Sequence, residues 1–161
     1  MGDFKASPMT PETFHASLAV NLQYEAMLAP LSIESLGELV GLSCYAKQCH
    51  EGSAFLIALD WRAAYDCENF RWFKARYDRF IYIDRIAIGD AYHRTGLARG
   101  FYENLTLFAR EKSAHHLCAE VNISPPNPAS HAFHRSMDFN PVGDGMSDGK
   151  HVQYYVKSLT A

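Results

Sequence analysis

Residues Phe80 to Lys112 read FIYIDRIAIGDAYHRTGLARGFYENLTLFAREK, and this run decides the fold. From Phe80 to Ile88 the residues are apolar on both faces, interrupted only by Asp84 and Arg85, as in a central strand covered on both sides. A helix follows, because Leu97, Phe101, Leu105 and Phe108 recur at spacings of four, four and three and draw one apolar stripe. Between the two lies His93-Arg94-Thr95-Gly96-Leu97-Ala98. Gly96 permits a close backbone approach just where the first helical N–H groups have no intrahelical partner, and such a helix start attracts phosphates. A glycine in a strand-turn-helix unit also has an ordinary folding explanation, so the turn alone does not name a ligand.

Working outward, His115 to Ile123 (HHLCAEVNI) alternates. Leu117, Ala119, Val121 and Ile123 share one face; His116, Cys118, Glu120 and Asn122 share the other, which could line a polar notch. Pro125 and Pro126 end that strand, and Asn127 with Pro128 makes an N-cap and first-turn pair for a helix that carries Ala129, Ala132, Phe133 and Met137 inward. The tail reads as two strands, Asp138 to Val142 and His151 to Leu159, with turn signals at Gly143-Asp144-Gly145 and Asp148-Gly149. Towards the amino terminus, a polar lead from Met1 to Glu12 precedes Thr13 to Leu22, a candidate first strand. Ser32 is a plausible N-cap after Pro30 for a helix through Leu36, Leu39 and Val40. Tyr45 to Cys49 and Ala54 to Leu59 read as two strands joined by the turn His50-Glu51-Gly52-Ser53.

Asp60 to Arg79 is the least regular stretch, with six aromatic residues among five arginines and lysines. Segments of this length are often lids or binding loops. The helical spacing of Phe70, Phe73 and Tyr77 argues instead for a short helix packing those rings, leaving Trp61, Tyr65 and Trp72 as candidates for a substrate wall.

Two segments carry a resemblance. The run Asp84-Arg85-Ile86-Ala87-Ile88 followed by His93-Arg94-Thr95-Gly96-Leu97-Ala98-Arg99 resembles the acetyl-CoA-binding segment of the GNAT N-acetyltransferase superfamily, whose pattern is Gln/Arg-x-x-Gly-x-Gly/Ala. Gly96 and Ala98 match it, and His93 stands at the Gln/Arg position. Downstream, Asn127 to Phe139 (NPASHAFHRSMDF) is similar to the family's Asn-x-x-Ala-x-x-Leu-Tyr-x-x-x-Gly-Phe segment, with Ser130, Phe133, His134, Asp138 and Phe139 at comparable positions. The resemblance runs clearly from Phe80 to Phe139 and more loosely outside it.

It implies a mixed α/β, GNAT-like acyl-CoA N-acyltransferase fold, with a mostly antiparallel sheet of six or seven strands flanked by about four helices. Residues 1–161 would form a single domain. The implied activity is direct transfer from acetyl-CoA, as co-substrate, to a primary amine in a small molecule, at a protein terminus or on a lysine. Ile86, Ala87 and Ile88 would bond the pantetheine arm through the backbone. His93, Arg94, Thr95, Gly96, Leu97, Ala98 and Arg99 would hold the phosphates, with Asn127 and Phe133 as further cofactor contacts. A non-catalytic CoA-binding or sensor domain of the same fold is the alternative, favoured by His134 and Asp138 standing where the family carries tyrosine and glycine.

The chemistry asks for a base, an acid and preorganised amides. An amine with a pKa of about 10.4 must lose a proton before it attacks a thioester, and the departing thiolate is helped by a proton donor. Backbone N–H groups stabilise the oxyanion. His134, at the tyrosine position, is the candidate acid; its alternative is a helix-surface histidine. Asp84 and Glu120 are the candidate bases, with a water relay from His116 behind them; either carboxylate could instead form a structural ion pair with Arg85.

Global properties agree. The chain has 161 residues, about one domain, and 48% apolar composition, enough for a substantial core. A net charge of −3 gives no electrostatic case for nucleic acid or an anionic membrane. Short apolar runs and the lack of a basic-then-apolar leader lead to the expectation of a cytoplasmic protein without a membrane segment. Four cysteines show no C-x-x-C pair, and His131 with His134 lacks further ligands, so no metal is expected. The apolar tail strands could pair across a homodimer.

Overall fold

The structure, a computed structural model, describes residues 4–160, so the first three residues of the polar lead lie outside it. In chain order the elements are β1 (Ser7–Pro8), α1 (Phe14–Gln23), α2 (Ile33–Leu42), β2 (Tyr45–Cys49), β3 (Ala54–Asp60), α3 (Glu68–Lys74), β4 (Phe80–Ile88), α4 (Leu97–Glu111), β5 (His116–Ser124), α5 (Pro128–Ser136), β6 (Asn140–Ser147) and β7 (Lys150–Ser158). Short 3-10 turns lie at Pro11–Thr13, His50–Gly52 and Asp90–Tyr92. The seven strands are ordered β1-β2-β3-β4-β5-β7-β6. β4 runs parallel to β5, while β1 with β2, β2 with β3, and β7 with both β5 and β6 are antiparallel. This is the mixed, mostly antiparallel α/β architecture expected, with five α-helices among the described residues instead of four. None of the described helices is long and apolar enough to cross a membrane.

The chain clusters into two compact units, Met1–Leu59 with Ile83–Leu105, and Asp60–Tyr82 with Thr106–Ala161. In the first, β3 is buried along both faces from Ala54 to Leu59, and Phe101, Tyr102 and Leu105 of α4 are also buried. Ser32 caps α2 as the sequence indicates: its hydroxyl accepts from the Ser35 N–H (3.1 Å), and Ser35 Oγ accepts from the Ser32 N–H (2.8 Å). Such a reciprocal cap satisfies two N–H groups left over at the helix start. The segment Thr13 to Leu22 is not a strand but α1. Its buried residues are Phe14, Ser17, Val20 and Asn21, a helical recurrence, and Leu22 is 66% exposed.

In the second unit, Phe70, Phe73, Phe80 and Tyr82 pack as an aromatic cluster with ring centroids 5.4 to 6.5 Å apart. The short helix expected inside Asp60 to Arg79 is α3, which buries Phe70 and Phe73; Tyr77 falls beyond its end. β5 is buried on both faces from Leu117 to Ala119, so its alternation does not leave one face polar. On α5, Ala129 and Ala132 face solvent, whereas His134 and Met137 are buried. Gly143-Asp144-Gly145 lies within β6 and makes no turn. Asp148-Gly149 alone joins β6 to β7, with φ of +50° and +74° and Ser147 opposite Lys150, a two-residue hairpin connection.

Candidate functional site

The first unit holds the glycine turn. β4 enters it with Asp84 and Arg85 buried together, Arg85 Nε donating to Asp84 Oδ2 at 2.8 Å. Arg85 Nη1 also donates to Asn21 Oδ1 and to the Ala29 carbonyl, both at 2.9 Å, and Asn21 Nδ2 donates to the same carbonyl at 3.1 Å. Asp84 is therefore a structural counter-ion that lets Arg85 fasten the α1–α2 connection to β4. A buried carboxylate so paired balances the charge of the buried guanidinium.

After β4, the Gly89 N–H donates to Ser53 O (2.8 Å), tying the turn to the β2–β3 connection. The Ile88 carbonyl then lies 2.8 Å from Tyr24 Oη and 2.9 Å from His93 Nε2. Tyr24 Oη also lies 2.6 Å from His93 Nε2 and 3.0 Å from Asp90 Oδ1. Burial and Asp90 push the Tyr24 phenol up to about 12, so it stays protonated and can donate. Tyr24 was not legible as a site residue, for it lies 64 positions from Ile88 in no recognisable motif.

Arg94 stands in the left-handed region at φ +62°, and the Thr95 hydroxyl turns back onto the Tyr92 carbonyl. Gly96 follows at φ +81°, its carbonyl accepting from the Gly100 N–H (3.0 Å) to open α4. A side chain is strained at that φ whatever the space. A Cβ there would meet no protein atom within 4 Å, so the glycine serves the backbone bend and leaves its surroundings open. Arg99 lies 3.9 Å from Glu103 on the exposed face of α4. The open glycine, the helix start behind it and the exposed arginines fit a polyanionic cofactor such as the phosphates of CoA.

The second unit holds the other carboxylate. Glu120 Oε1 accepts from Tyr82 Oη at 2.8 Å and from Asn69 Nδ2 at 2.9 Å, while Asn69 Oδ1 accepts from Tyr154 Oη at 3.0 Å. Three elements, β4, α3 and β7, thus converge on a carboxylate of β5. Burial, then Glu120, pushes the Tyr154 phenol up. Trp72 stacks on Tyr154 at 4.1 Å, and the Arg76 guanidinium lies 4.0 Å over Trp72. Gly143 makes room for that indole, since a Cβ there would come within 2.7 Å of it. Tyr65 packs edge-on against Phe70, and Trp61 carries Arg62 and Arg79 over its ring. Of the three aromatic wall candidates, Trp72 and Tyr65 gather around the partners of Glu120 and Trp61 does not. Asn69 and Tyr154 were not singled out from the sequence, because their link to Glu120 is purely spatial.

His134 is not on the helix surface. It is 4% exposed, and its Nδ1 lies 2.8 Å from the Ser130 carbonyl, which can only accept. The proton therefore sits on Nδ1, and the neutral ring has only a lone pair at Nε2. Burial drives its pKa down to about 4, against the pull of the Ser130 carbonyl. The ring is therefore neutral near neutral pH, with its one proton on Nδ1. His131 is committed as well: Nε2 donates to Asn122 O (3.0 Å), so Nδ1 accepts from Tyr155 Oη (2.6 Å). The two histidines therefore form no chelating pair. His116 Nδ1 is buried without a hydrogen-bond partner, and burial lowers the ring's pKa. Asn127 acts as the N-cap of α5, its Oδ1 accepting from the Ser130 N–H at 3.3 Å, and Phe133 is half-buried edge-on to His134.

Residues 6–139 match the acetyltransferase (GNAT) family. No curated protein sequence matches. Among solved structures, the ribosomal-protein alanine N-acetyltransferase of Escherichia coli superposes with a TM-score of 0.70 at 18% identity, over 98% of this chain and 94% of that one. The ribosomal-protein-alanine N-acetyltransferase of Brucella melitensis gives 0.68 at 21% identity, over 96% and 99%. The acetyltransferase yncA of Salmonella typhimurium, solved with its cofactor acetyl-CoA, gives 0.69 at 16% identity, over 99% and 96%.

Proposed function

The chain belongs to the acetyltransferase (GNAT) family, and on that premise we propose that it is a single-domain N-acetyltransferase that moves an acetyl group from acetyl-CoA to a primary amine. The observation that carries this reading is the turn at Gly96, a left-handed glycine with open surroundings that starts a 15-residue helix immediately after a buried strand. Bound acetyl-CoA supplies an acetyl group activated as a thioester. Gly96, Leu97, Ala98 and Arg99 would hold its phosphates through backbone N–H groups and one guanidinium, with Arg94 beside them. Ile86, Ala87 and Ile88 would bond the pantetheine arm through backbone groups.

Glu120 is the better base. Asp84 is matched by the Arg85 guanidinium, whereas Tyr82 and Asn69, which donate to Glu120 Oε1, are neutral and orient the carboxylate without cancelling its charge. Its part is to take the ammonium proton of the acceptor, directly or through water. The structural neighbours include enzymes named for protein alanine, which favours an α-amine at a protein or peptide terminus over a small amine.

The test is thiol release from acetyl-CoA with a panel of amino-terminal peptides, lysine peptides and small amines. Glu120→Gln, which keeps an acceptor for Tyr82 and Asn69, is expected to lower kcat by about a hundredfold or more while leaving acetyl-CoA affinity within about twofold. An unchanged kcat removes Glu120 from the mechanism. One observation favours the second reading, a CoA-binding domain without transferase activity: the one proton of the neutral His134 ring is on Nδ1 and is committed to the Ser130 carbonyl. Tight acetyl-CoA binding with no thiol release across the panel selects that reading.

A further inference from the structure

The connection from Trp61 to Arg79 carries five cations, and the fold accounts for three of them. Arg62 pairs with Asp60 at 3.0 Å, Arg71 pairs with Asp66, and Arg79 donates to the Ser113 and Lys112 carbonyls at 2.9 and 3.3 Å. Lys74 and Arg76, with no carboxylate partner among the described residues, stand over aromatic rings, Phe70 at 5.9 Å and Trp72 at 4.0 Å. Arg76 Nη1 donates to the Trp72 carbonyl (2.9 Å), which closes α3 and uses one of the five N–H groups of a guanidinium. Tyr154 stacks on Trp72 at 4.1 Å with 19° between the planes, so the indole has one face on the phenol and the other beneath the guanidinium. The Cβ that Gly143 lacks would come within 2.7 Å of the indole, so β6 packs against its edge. The three planar groups make a stack that begins at a phenol bonded through Asn69 to Glu120 and ends on an exposed cation. Burial, then Glu120, push the Tyr154 phenol up, and the Arg76 charge pulls against them, so the cation is felt at the Glu120 end of the stack.

Resting on the reading of Glu120 as the base for a peptide amine, we infer that the Tyr154–Trp72–Arg76 stack selects acceptor peptides with a carboxylate side chain at the second or third residue, Arg76 being the residue that reads it. The occupant follows from the two ends of the stack. A peptide amine arrives as an ammonium and is drawn to the Glu120 carboxylate, with Glu68 as a further acid acting on Tyr154. At the other end stands a guanidinium with donors left over and no counter-ion, and its complement is a carboxylate held by charge-assisted hydrogen bonds. The two stacking distances set Arg76 about 8 Å beyond the Tyr154 ring, or two to three residues of extended chain at about 3.3 Å each. The ammonium and carboxylate of a free amino acid are joined through one carbon and do not span that length. The indole holds the guanidinium flat, so the fork is already oriented before a carboxylate arrives, and little side-chain freedom is lost on binding. A cationic side chain at the same acceptor position meets like charge.

The experiment is steady-state thiol release from acetyl-CoA by the full chain, with alanine-first hexapeptides that carry aspartate, asparagine or lysine at the second, third or sixth residue. For the wild type, kcat/KM is expected to be about tenfold higher with aspartate than with asparagine at the second or third residue, and lower again with lysine. The preference is expected mainly in KM and is expected to shrink in about 0.5 M salt. At the sixth residue the three peptides are expected to be equal. Arg76→Glu is expected to reverse the order, lysine above aspartate, and Arg76→Lys, which keeps the charge without the planar fork, to retain only part of the preference. Acetylation without an aspartate preference, a preference as strong at the sixth residue, or one that survives in Arg76→Glu overturns this inference and leaves the transferase reading standing. No acetylation of any peptide by the folded wild type removes the peptide-acceptor reading and this inference with it.

Discussion

Asp138 stands where the resembled family carries glycine, and its backbone explains why. It adopts φ +68° just past the end of α5, where the Phe139 N–H donates to His134 O (3.0 Å) and the Asp138 N–H to Arg135 O (3.1 Å). That pair of bonds closes a helix by a left-handed residue, a conformation glycine takes freely and aspartate tolerates better than most. The substitution therefore preserves the helix end and does not speak against activity. Asp138→Gly is expected to stabilise the fold by about 0.5–1 kcal/mol, read from the urea midpoint. His134 makes the opposite kind of prediction. Burial lowers its pKa from the ordinary 6.5 to about 4, so the unfolded chain takes up a proton that the folded ring refuses. Its contribution is fully present above the ordinary value and is lost as pH falls towards 4, amounting to up to about 3 kcal/mol. His134→Phe removes this dependence, so urea midpoints at about pH 7 and about pH 4.5 are expected to differ less in the variant than in the wild type.

At the scale of elements, the strand-turn-helix from Phe80 to Glu111 was legible because burial on two faces, a glycine and a long apolar stripe each impose a pattern on consecutive residues. The N-caps at Ser32 and Asn127 were legible for the same reason. α1 was not. Phe14, Ala16, Leu18, Val20 and Leu22 alternate as a strand would, while Phe14, Ser17, Val20 and Asn21 recur as a helix does, and only the exposure of Leu22 and the burial of Ser17 and Asn21 decide between them. Those two polar side chains are buried because each has a remote partner: Ser17 donates to Gly52 O (2.9 Å), and Asn21 bonds Arg85 and Ala29. Such partners leave no mark on local periodicity. The Arg85 junction is the testable case. Arg85→Met removes the cation paired with the buried Asp84 carboxylate and is expected to cost about 3–5 kcal/mol, whereas adding Asp84→Asn recovers most of that loss. Equal destabilisation in the single and double variants would show that the ion pair is not what binds the α1–α2 connection to β4.

For the whole molecule, the family and the sheet were readable from two motifs, but the candidate chemistry was only half readable. Glu120 could be named from its strand; Tyr82, Asn69 and Tyr154, which hold it, come from β4, α3 and β7, and no spacing along the chain brings them together. His134 could be placed on α5, yet its burial and the position of its proton depend on Ser130 and on packing against Tyr155 and Phe139. The account rests on the claim that the Gly96 turn receives acetyl-CoA. Calorimetric titration of acetyl-CoA into the wild type and into Gly96→Trp, with folding of both checked by circular dichroism, tests it most directly. A saturable isotherm for the wild type that is lost in the folded variant is the predicted result. Equal binding by both proteins, or none by the folded wild type, would contradict it.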